Sequence, residues 1–264
     1  MSLCIVLDMD IRWWTEPRFE MVINAIKFFV STIGLSQRED LCLSVIACFH
    51  DRAVPVLVSK NWRDISSLSD KLSKLRAEHI PKEEVYEIPI AQGISKALCF
   101  GNIDNTVNSV IVFECISDFV AQTVPLSNCG WAAGETHVHV VSLGGVGKVP
   151  SPGLMSLCNK TGGVYIPPQF TQSIGELTQA LLFHLGDTKS GLFKTRPALS
   201  ETHMAATCVC HNKQCTMGYV CSICLAVYCS ETAGTCAMCG SRMRREAKDE
   251  QPISGQPFSK LFRK

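Results

Sequence analysis

The stretch Met1-Ser-Leu-Cys-Ile-Val-Leu-Asp8 decides the fold class, because its apolar run from residue 3 to residue 7 ends at a carboxylate. Such a run is typical of a strand that is buried on both faces of a parallel sheet and whose carboxyl end opens at a crevice. The run has no basic segment before it and meets a charge early. We therefore predict a first strand here and no secretion signal.

The sequence that follows alternates between helical and strand patterns. Helices are predicted at 17–33, 61–78, 90–100, 153–160 and 170–185, and further strands at 41–49, 53–58, 109–115, 136–143 and 164–166. Gly34 is the expected stop of the first helix, whose apolar positions recur at helical spacing: Phe19, Val22, Ile23, Ile26, Phe29, Val30 and Ile33. Pro55 cannot donate to a ladder and places its strand at a sheet edge. The alternation predicts an α/β fold with a doubly wound, mainly parallel sheet.

Length and composition predict one large domain with a small second one in this chain of 264 residues. With 46% hydrophobic and 19% charged residues, the chain can bury a sizeable core. Its 25 basic and 24 acidic residues leave a net charge of +1, so global charge points to no nucleic-acid or acidic partner. No stretch approaches the roughly 20 consecutive apolar residues that cross a bilayer, so we expect no membrane contact.

The 15 cysteines fall into two classes by position. In the reducing compartment that we expect for this chain, cysteines serve as core filler or as metal ligands. Single cysteines within apolar runs are predicted to be buried small hydrophobic residues: Cys4, Cys42, Cys48, Cys99, Cys115, Cys129 and Cys158. The remaining cysteines are concentrated between residues 208 and 239 and need a separate explanation.

Two Cys-x2-Cys pairs stand out in that cluster, Cys221-Ser-Ile-Cys224 and Cys236-Ala-Met-Cys239. Two such pairs can hold one Zn²⁺ tetrahedrally through four thiolates. Because the protein fills all four positions, the site has no place for a catalytic water and is structural. We predict one structural zinc ion bound by Cys221, Cys224, Cys236 and Cys239.

A second zinc ion is left open by the sequence. The remaining donors contain enough ligands for it: Cys208, Cys210, His211, Cys215 and Cys229. Their spacing does not match the ordered eight ligands of a RING. Alternatively, Cys229 is an extra thiol beside the first site.

These patterns divide the chain into an α/β domain at 1–186, a linker at 187–206, a zinc-binding module at 207–245 and a basic tail at 246–264. The linker segment contains Gly, Ser, Thr, Lys and Pro and has weak periodicity. Pro, Gly, Ser and Gln predict a flexible tail, with phosphate contact or nuclear import as the alternative.

The α/β domain carries no recognisable catalytic motif. Asp8 and Asp10 could together hold Mg²⁺, but Arg12 places a fixed cation beside them, so we predict a structural or partner-facing turn. The sequence contains neither a G-x-S-x-G nucleophile elbow nor an H-E-x-x-H zinc-protease motif. We predict that the protein is not an enzyme.

Four segments carry a resemblance to a known family: Ile11-Arg-Trp-Trp14, Ser95-Lys-Ala-Leu-Cys-Phe100, Thr161-Gly-Gly-Val-Tyr165 and Gly218-Tyr-Val-Cys-Ser-Ile-Cys-Leu225 with the later Cys236/Cys239 pair. In this order they resemble the smaller of the two von Willebrand A-like, zinc-binding core subunits of general transcription factor IIH (TFIIH), the thirty-four-kilodalton class. Von Willebrand A domains generally end their first strand in Asp-x-Ser-x-Ser and hold a metal there. Here Asp10 and Arg12 stand in the serine positions, so we expect that metal site to be lost.

The resemblance implies a von Willebrand A-like domain with a C-terminal C4 zinc finger, in a noncatalytic nuclear scaffold subunit. It implies roles in transcription initiation by RNA polymerase II and in nucleotide excision repair. The expected partners in this hetero-oligomer are the larger von Willebrand A-like zinc-binding subunit and other core subunits. The sequence does not decide whether the chain contacts DNA, and any such contact is expected to be indirect or through the basic tail. Trp13 and Trp14 are either contact residues or buried anchors. The alternative is a RING-like ubiquitin ligase with an α/β substrate-binding domain, which requires a second zinc.

Overall fold

A computed structural model describes residues 2–36, 41–81, 86–102, 108–115, 119–144, 151–185, 206–211, 214–215, 218–224, 226–230 and 234–242. The large domain runs in the order β1 (Ser2–Asp8), α1 (Glu16–Ser36), β2 (Cys42–Cys48), β3 (Ala53–Ser59), α2 (Leu68–Glu78), α3 (Ile90–Asn102), β4 (Asn108–Glu114), α4 (Thr123–Ala132), β5 (His137–Ser142), α5 (Pro152–Lys160), β6 (Tyr165–Ile166) and α6 (Ile174–Leu185). Four short strands follow in the described part of the C-terminal segment: β7 (Ala206–Thr207), β8 (Gln214–Cys215), β9 (Tyr219–Val220) and β10 (Val227–Tyr228).

The strands of the large domain form one sheet in the order β3-β2-β1-β4-β5-β6. Neighbouring strands are parallel except β3, which runs antiparallel to β2 at the edge. This order is that of a doubly wound sheet, so the predicted fold class is confirmed. Pro55 lies on the edge strand as predicted, and the register between β2 and β3 shifts beside its partner Ile46.

Helices cover both faces of the sheet. Among the described residues, α1, α2 and α6 pack on one face, and α3, α4 and α5 pack on the other. The central strand β1 contributes side chains to both layers, because Leu3, Ile5 and Leu7 face the first and Cys4 and Val6 face the second. Its predicted burial on both faces is confirmed.

The first helix has the predicted core face but a different end. All seven apolar positions named from its periodicity lie in the core. The helix continues past Gly34 to Ser36, so the predicted stop is wrong. Gly34 is needed for close packing instead, since a Cβ at this position would overlap the indole ring of Trp62.

Trp62 begins a short 3-10 helix, Trp62–Ser67, which leads directly into α2. Asn61 caps it as predicted, and its side-chain oxygen accepts a hydrogen bond from the backbone N–H of Arg63 at 3.1 Å. The helix predicted at 61–78 is therefore a 3-10 turn followed by an α-helix.

The single cysteines mostly fill the core. Five of the seven are buried, Cys42 is half-buried, and Cys99 is exposed. The prediction is wrong for Cys99, because Ala97 and Leu98 occupy the side of α3 that faces the sheet and Cys99 points to solvent.

The predicted linker at 187–206 lies outside the described residues except for Ala206, which belongs to β7, and the predicted tail at 246–264 lies entirely outside them. Within the described residues, the helices are too short or too polar to cross a bilayer.

Gly93 of α3 supports a test of how tightly the helices pack on the sheet. A Cβ at Gly93 would overlap Cys48 Sγ and lie 2.9 Å from Cγ1 of Val6. We expect Gly93→Ala to lower the free energy of unfolding by about 1–3 kcal/mol, because the core is overpacked. Urea denaturation of the full chain measures this change.

Gly175→Ala is the matched control, because no atom lies within 4 Å of a Cβ placed at this position in α6. We expect it to raise the free energy of unfolding by about 0.4–1 kcal/mol through the reduced entropy of the unfolded chain. A Gly93→Ala protein as stable as the Gly175→Ala protein would contradict this packing of α3.

Candidate metal centre

The carboxyl end of β1 is closed by hydrogen bonds to Asp8. This side chain is fully buried. Its Oδ1 accepts a hydrogen bond from the backbone N–H of Asp10 at 3.1 Å, and its Oδ2 accepts one from the backbone N–H of Cys115 at 2.9 Å. The carboxylate therefore joins the turn after β1 to the end of β4.

Asp10, also buried, is paired with Arg12. Arg12 Nη2 lies 2.5 Å from Asp10 Oδ2, Arg12 Nε lies 2.9 Å from Oδ1, and the Tyr86 hydroxyl donates to Oδ1 at 2.9 Å. Burial opposes ionisation of Asp10, but the hydrogen bonds from Arg12 outweigh it and hold the pKa of this carboxyl below its ordinary value. The guanidinium thus supplies the positive charge at the edge where a von Willebrand A domain would hold its metal.

Trp13 and Trp14 are buried anchors of the same turn and not surface residues. Their rings pack edge to face with centroids 4.9 Å apart, and Trp14 Nε1 donates a hydrogen bond to the carbonyl of Asp8 at 2.7 Å. The turn after β1 is therefore bound internally by charge, hydrogen bonds and aromatic packing.

The first cysteine set brings together the four residues named from the sequence. The Sγ atoms of Cys221, Cys224, Cys236 and Cys239 all lie within 4.8 Å of one another. The Cys221–Cys239 and Cys224–Cys236 Sγ distances are 3.7 Å and 3.6 Å. A disulfide would require about 2.05 Å, whereas four sulfurs bound tetrahedrally at about 2.3 Å from one ion lie about 3.8 Å apart.

Each pair of this set lies on a tight turn. Cys221 follows β9, and its backbone N–H bonds to the carbonyl of Ala226 at 2.9 Å, which closes the turn that leads into β10. The second turn is closed by the backbone N–H of Gly240, which bonds to the carbonyl of Cys236 at 2.9 Å. Gly240 has φ +69°, a left-handed conformation that favours glycine at this position.

Polar groups surround the sulfurs of the first set. The Tyr228 hydroxyl lies 3.1 Å from Cys236 Sγ, and the Ser241 hydroxyl lies 2.9 Å from Cys239 Sγ. Burial opposes ionisation of Cys221, but hydrogen bonds from the Cys224 backbone and the Ser241 side chain bring its pKa to about 6. Burial raises the pKa of Cys224 in the same set to about 12. Thiolates are the form of cysteine that binds metals.

A second set of donors lies nearby: Cys208, Cys210, His211 and Cys229. Their donor atoms also lie within 4.8 Å of one another. Among the described residues, Cys215 belongs to neither set. Cys229 Sγ lies 3.2 Å from Nδ1 of His211, so Cys229 groups with the second set of donors and not with the first.

The sequence contains a partial signal for this second set. Cys208, Cys210 and His211 lie within one four-residue turn and supply three donors, but nothing local identifies Cys229 rather than Cys215 as the fourth. The structure thus contains two cysteine-rich clusters, each of which could bind a metal ion.

The core around these clusters is small. Its buried members in the described part of the module are Cys221, Cys224, Ala226, Tyr228 and Cys236. Val124 of α4 and Val209 pack against this group. All 15 cysteines are free thiols, so no disulfide replaces the missing core.

Comparison with known proteins identifies relatives of this chain. A family model described as transcription factor Tfb4 matches residues 63–240. The subunit 3 of general transcription factor IIH from Dictyostelium discoideum is 26% identical over 195 residues, which cover 71% of this chain and 51% of the relative. The subunit tfb4 of general transcription and DNA repair factor IIH from Schizosaccharomyces pombe is 25% identical over 199 residues, which cover 74% of this chain and 61% of the relative.

A third relative, the general transcription and DNA repair factor IIH subunit TFB4 from Arabidopsis thaliana, is 29% identical over 278 residues, covering 94% of this chain and 90% of the relative. The chain spans only 51% and 61% of the lengths of the first two relatives. These relatives are transcription-factor subunits, and they lend no support to the ubiquitin-ligase alternative.

Two solved structures share the fold. The D319A mutant of the PilB minor pilin from Streptococcus sanguinis superimposes with a TM-score of 0.52 at 9% identity, covering 73% of this chain and 62% of that one. The conserved hypothetical protein BatB from Bacteroides thetaiotaomicron superimposes with a TM-score of 0.50 at 13% identity, covering 72% of this chain and 98% of BatB. At these identities, the likeness concerns the fold alone.

The ion pair between Arg12 and Asp10 should make the free energy of unfolding depend on pH. We expect Arg12→Met to lower the free energy of unfolding by about 1–2 kcal/mol at pH 7, a moderate value because the Arg12 side chain is 47% exposed. The pKa of Asp10 is lower in the folded protein than its value of about 3.9 in the unfolded chain. The ion pair therefore adds to the free energy of unfolding at pH values above about 3.9, and this stabilisation is lost as the pH falls through the folded-state pKa. The difference between the two proteins should therefore narrow in acid.

Urea denaturation at pH 7 and at acidic pH measures this difference. Arg52→Met is the control, because Arg52 pairs with Asp51 at the surface. We expect this substitution to change the free energy of unfolding by less than about 0.5 kcal/mol. A loss on Arg12→Met that stays the same at every pH would contradict an electrostatic role for the pair.

Proposed function

This chain belongs to the transcription factor Tfb4 family, and we propose that it is a noncatalytic scaffold subunit of the TFIIH core. In this role it acts in the nucleus, in transcription initiation by RNA polymerase II and in nucleotide excision repair. The observation that carries the proposal is the family match over residues 63–240.

That match spans both parts of the molecule. It includes all eight donors of the two cysteine clusters and most of the α/β domain, from the 3-10 helix onward. The relatives are subunits of general transcription factor IIH, and two of them carry DNA repair in their names. These names support a place in a multi-subunit complex that acts in transcription.

We propose that the first cysteine set binds one structural Zn²⁺ through Cys221, Cys224, Cys236 and Cys239. The sulfur distances of 3.6 Å and 3.7 Å support this assignment, because they are close to the spacing around a tetrahedral zinc ion. Four thiolates favour Zn²⁺ among the common divalent ions and leave no position for a catalytic water. Since the module has a small core, the ion would supply much of its folding free energy.

The contacts at the carboxyl edge of the sheet support a noncatalytic α/β domain. Ligands of doubly wound folds bind at this edge, but here Asp8 bonds to backbone N–H groups and Asp10 bonds to Arg12 and Tyr86. The two carboxylates at the end of β1 are thus engaged by groups of the protein itself. We propose that the domain, residues 1–186, acts through its surface.

The partner that we propose for that surface is the larger von Willebrand A-like, zinc-binding subunit of TFIIH, within a hetero-oligomer that contains the other core subunits. The linker at 187–206 and the module at 207–245 complete the proposed domain plan. Contact with DNA is assigned to neighbouring subunits or to the basic tail at 246–264, which lies outside the described residues.

The zinc assignment is tested by measuring metal content. We expect the full chain to contain stoichiometric zinc by mass spectrometry and the double variant Cys221→Ser/Cys236→Ser to lose at least one ion per chain. Cys99→Ser is the control, because Cys99 is an exposed thiol on α3. A double variant that retains all of its zinc would refute the assignment.

The scaffold role is tested by co-expression with the other TFIIH core subunits of the same organism. We expect the chain to elute from gel filtration in one complex with the larger von Willebrand A-like subunit. Since a scaffold needs no nucleotide for its role, adding nucleotide should not change this result. Recovery of the assembled core without this chain, at the same yield and stability, would contradict the proposed role.

A further inference from the structure

The second set of donors comes from two separate segments. Cys208, Cys210 and His211 lie on the turn that follows β7, and Cys229 directly follows β10. The distance between the Cys208 and Cys210 Sγ atoms is 3.2 Å, Cys208 Sγ lies 3.7 Å from His211 Nδ1, and Cys229 Sγ lies 3.2 Å from the same nitrogen. Three thiols and one imidazole nitrogen thus converge on one point.

We propose that Cys208, Cys210, His211 and Cys229 bind a second structural zinc ion, so that the module holds two ions. Three cysteines and one histidine are a recurrent ligand set of structural zinc sites, and four protein ligands close the site. The proposal rests on the geometry of the module alone and does not depend on the complex to which the chain belongs.

Neither a disulfide nor hydrophobic packing accounts for all four donors. A disulfide would use only two of the three sulfur atoms. It would not explain why the imidazole of His211 also lies close to these sulfurs. Hydrophobic packing is also insufficient, because Cys210, His211 and Cys229 are exposed and only Cys208 of this set is buried. A metal ion uses all four donors at once.

The backbone supports the sulfur of Cys208. The backbone N–H of Cys229 donates a hydrogen bond to Cys208 Sγ at 3.2 Å. In the same region, the backbone N–H of Val209 bonds to the carbonyl of Val227 at 2.9 Å. These two hydrogen bonds hold the turn after β7 against β10. They therefore place the two segments that carry the second set of donors next to each other.

The two sets interleave along the chain. Cys229 lies between the Cys221/Cys224 pair and the Cys236/Cys239 pair, just after the hairpin that β9 and β10 form. The first set therefore shapes the hairpin that presents Cys229 to the second ion. By contrast, the first set contains all of its own ligands within residues 221–239 and needs none from the turn after β7.

This order predicts an asymmetric response to mutation. In the full chain, mass spectrometry of metal content should find about two zinc ions per chain. Cys229→Ser should reduce this to about one ion, whereas Cys221→Ser should release more than one, because the loosened hairpin also weakens the second set.

Control variants separate the ligand assignment from a loss of folding. Cys215→Ser should keep about two ions, because Cys215 belongs to neither set among the described residues. His211→Cys should also keep both ions, since it replaces one ligand by another, and X-ray absorption should then detect sulfur ligands only. In the unsubstituted chain, the same measurement should detect a nitrogen ligand beside the sulfurs.

The metal counts of these variants distinguish failure of the second site from failure of the first. One ion in the unsubstituted chain, lost on Cys221→Ser and kept on Cys229→Ser, would overturn the second site and leave the first intact. Loss of an ion on Cys215→Ser with none on Cys229→Ser would overturn the ligand assignment. A chain that contains no zinc at all would refute both sites.

Discussion

The burial of β1 on both faces is the constraint around which the rest of the α/β domain is arranged. Parallel strands bond to both of its edges, and helices cover both of its faces. Its terminal carboxylate, Asp8, is therefore buried and needs hydrogen-bond donors, because an unpaired buried charge is costly. The backbone N–H groups of Asp10 and Cys115 supply them, and this fixes the turn that carries Arg12 and the two tryptophans.

The described part of the C-terminal module buries much less apolar surface than the α/β domain. The α/β domain has two large apolar clusters, whereas the buried group of the described part of the module consists mainly of cysteines. Short hairpins and tight turns bring the donors together, and in the described part of the module few apolar side chains pack against them. Under the proposed zinc assignment, metal coordination would stabilise this small unit, in which all cysteines are free thiols.

The two parts of the molecule point to the same kind of role. At the carboxyl edge of the sheet, Asp10 is paired with Arg12 and Asp8 accepts hydrogen bonds from the backbone. Each cysteine cluster supplies four protein donors for a metal ion. This arrangement agrees with membership of a family of transcription-factor subunits that act within a complex.

Local patterns in the chain were sufficient to predict most of the strand-helix alternation, the core face of α1, the edge position of Pro55 and the Cys-x2-Cys pairs, because each is a periodicity or a spacing within one short segment. No helix was predicted where α4 lies, because Pro125 and Gly130 weaken its local helical pattern. The parallel pairing of β4 with β5 requires a crossover connection there. Tertiary contacts were needed to establish that Gly34 admits the Trp62 ring and that Cys229, not Cys215, joins Cys208 and His211. Those features depend on which distant segments meet, and local spacing does not encode that.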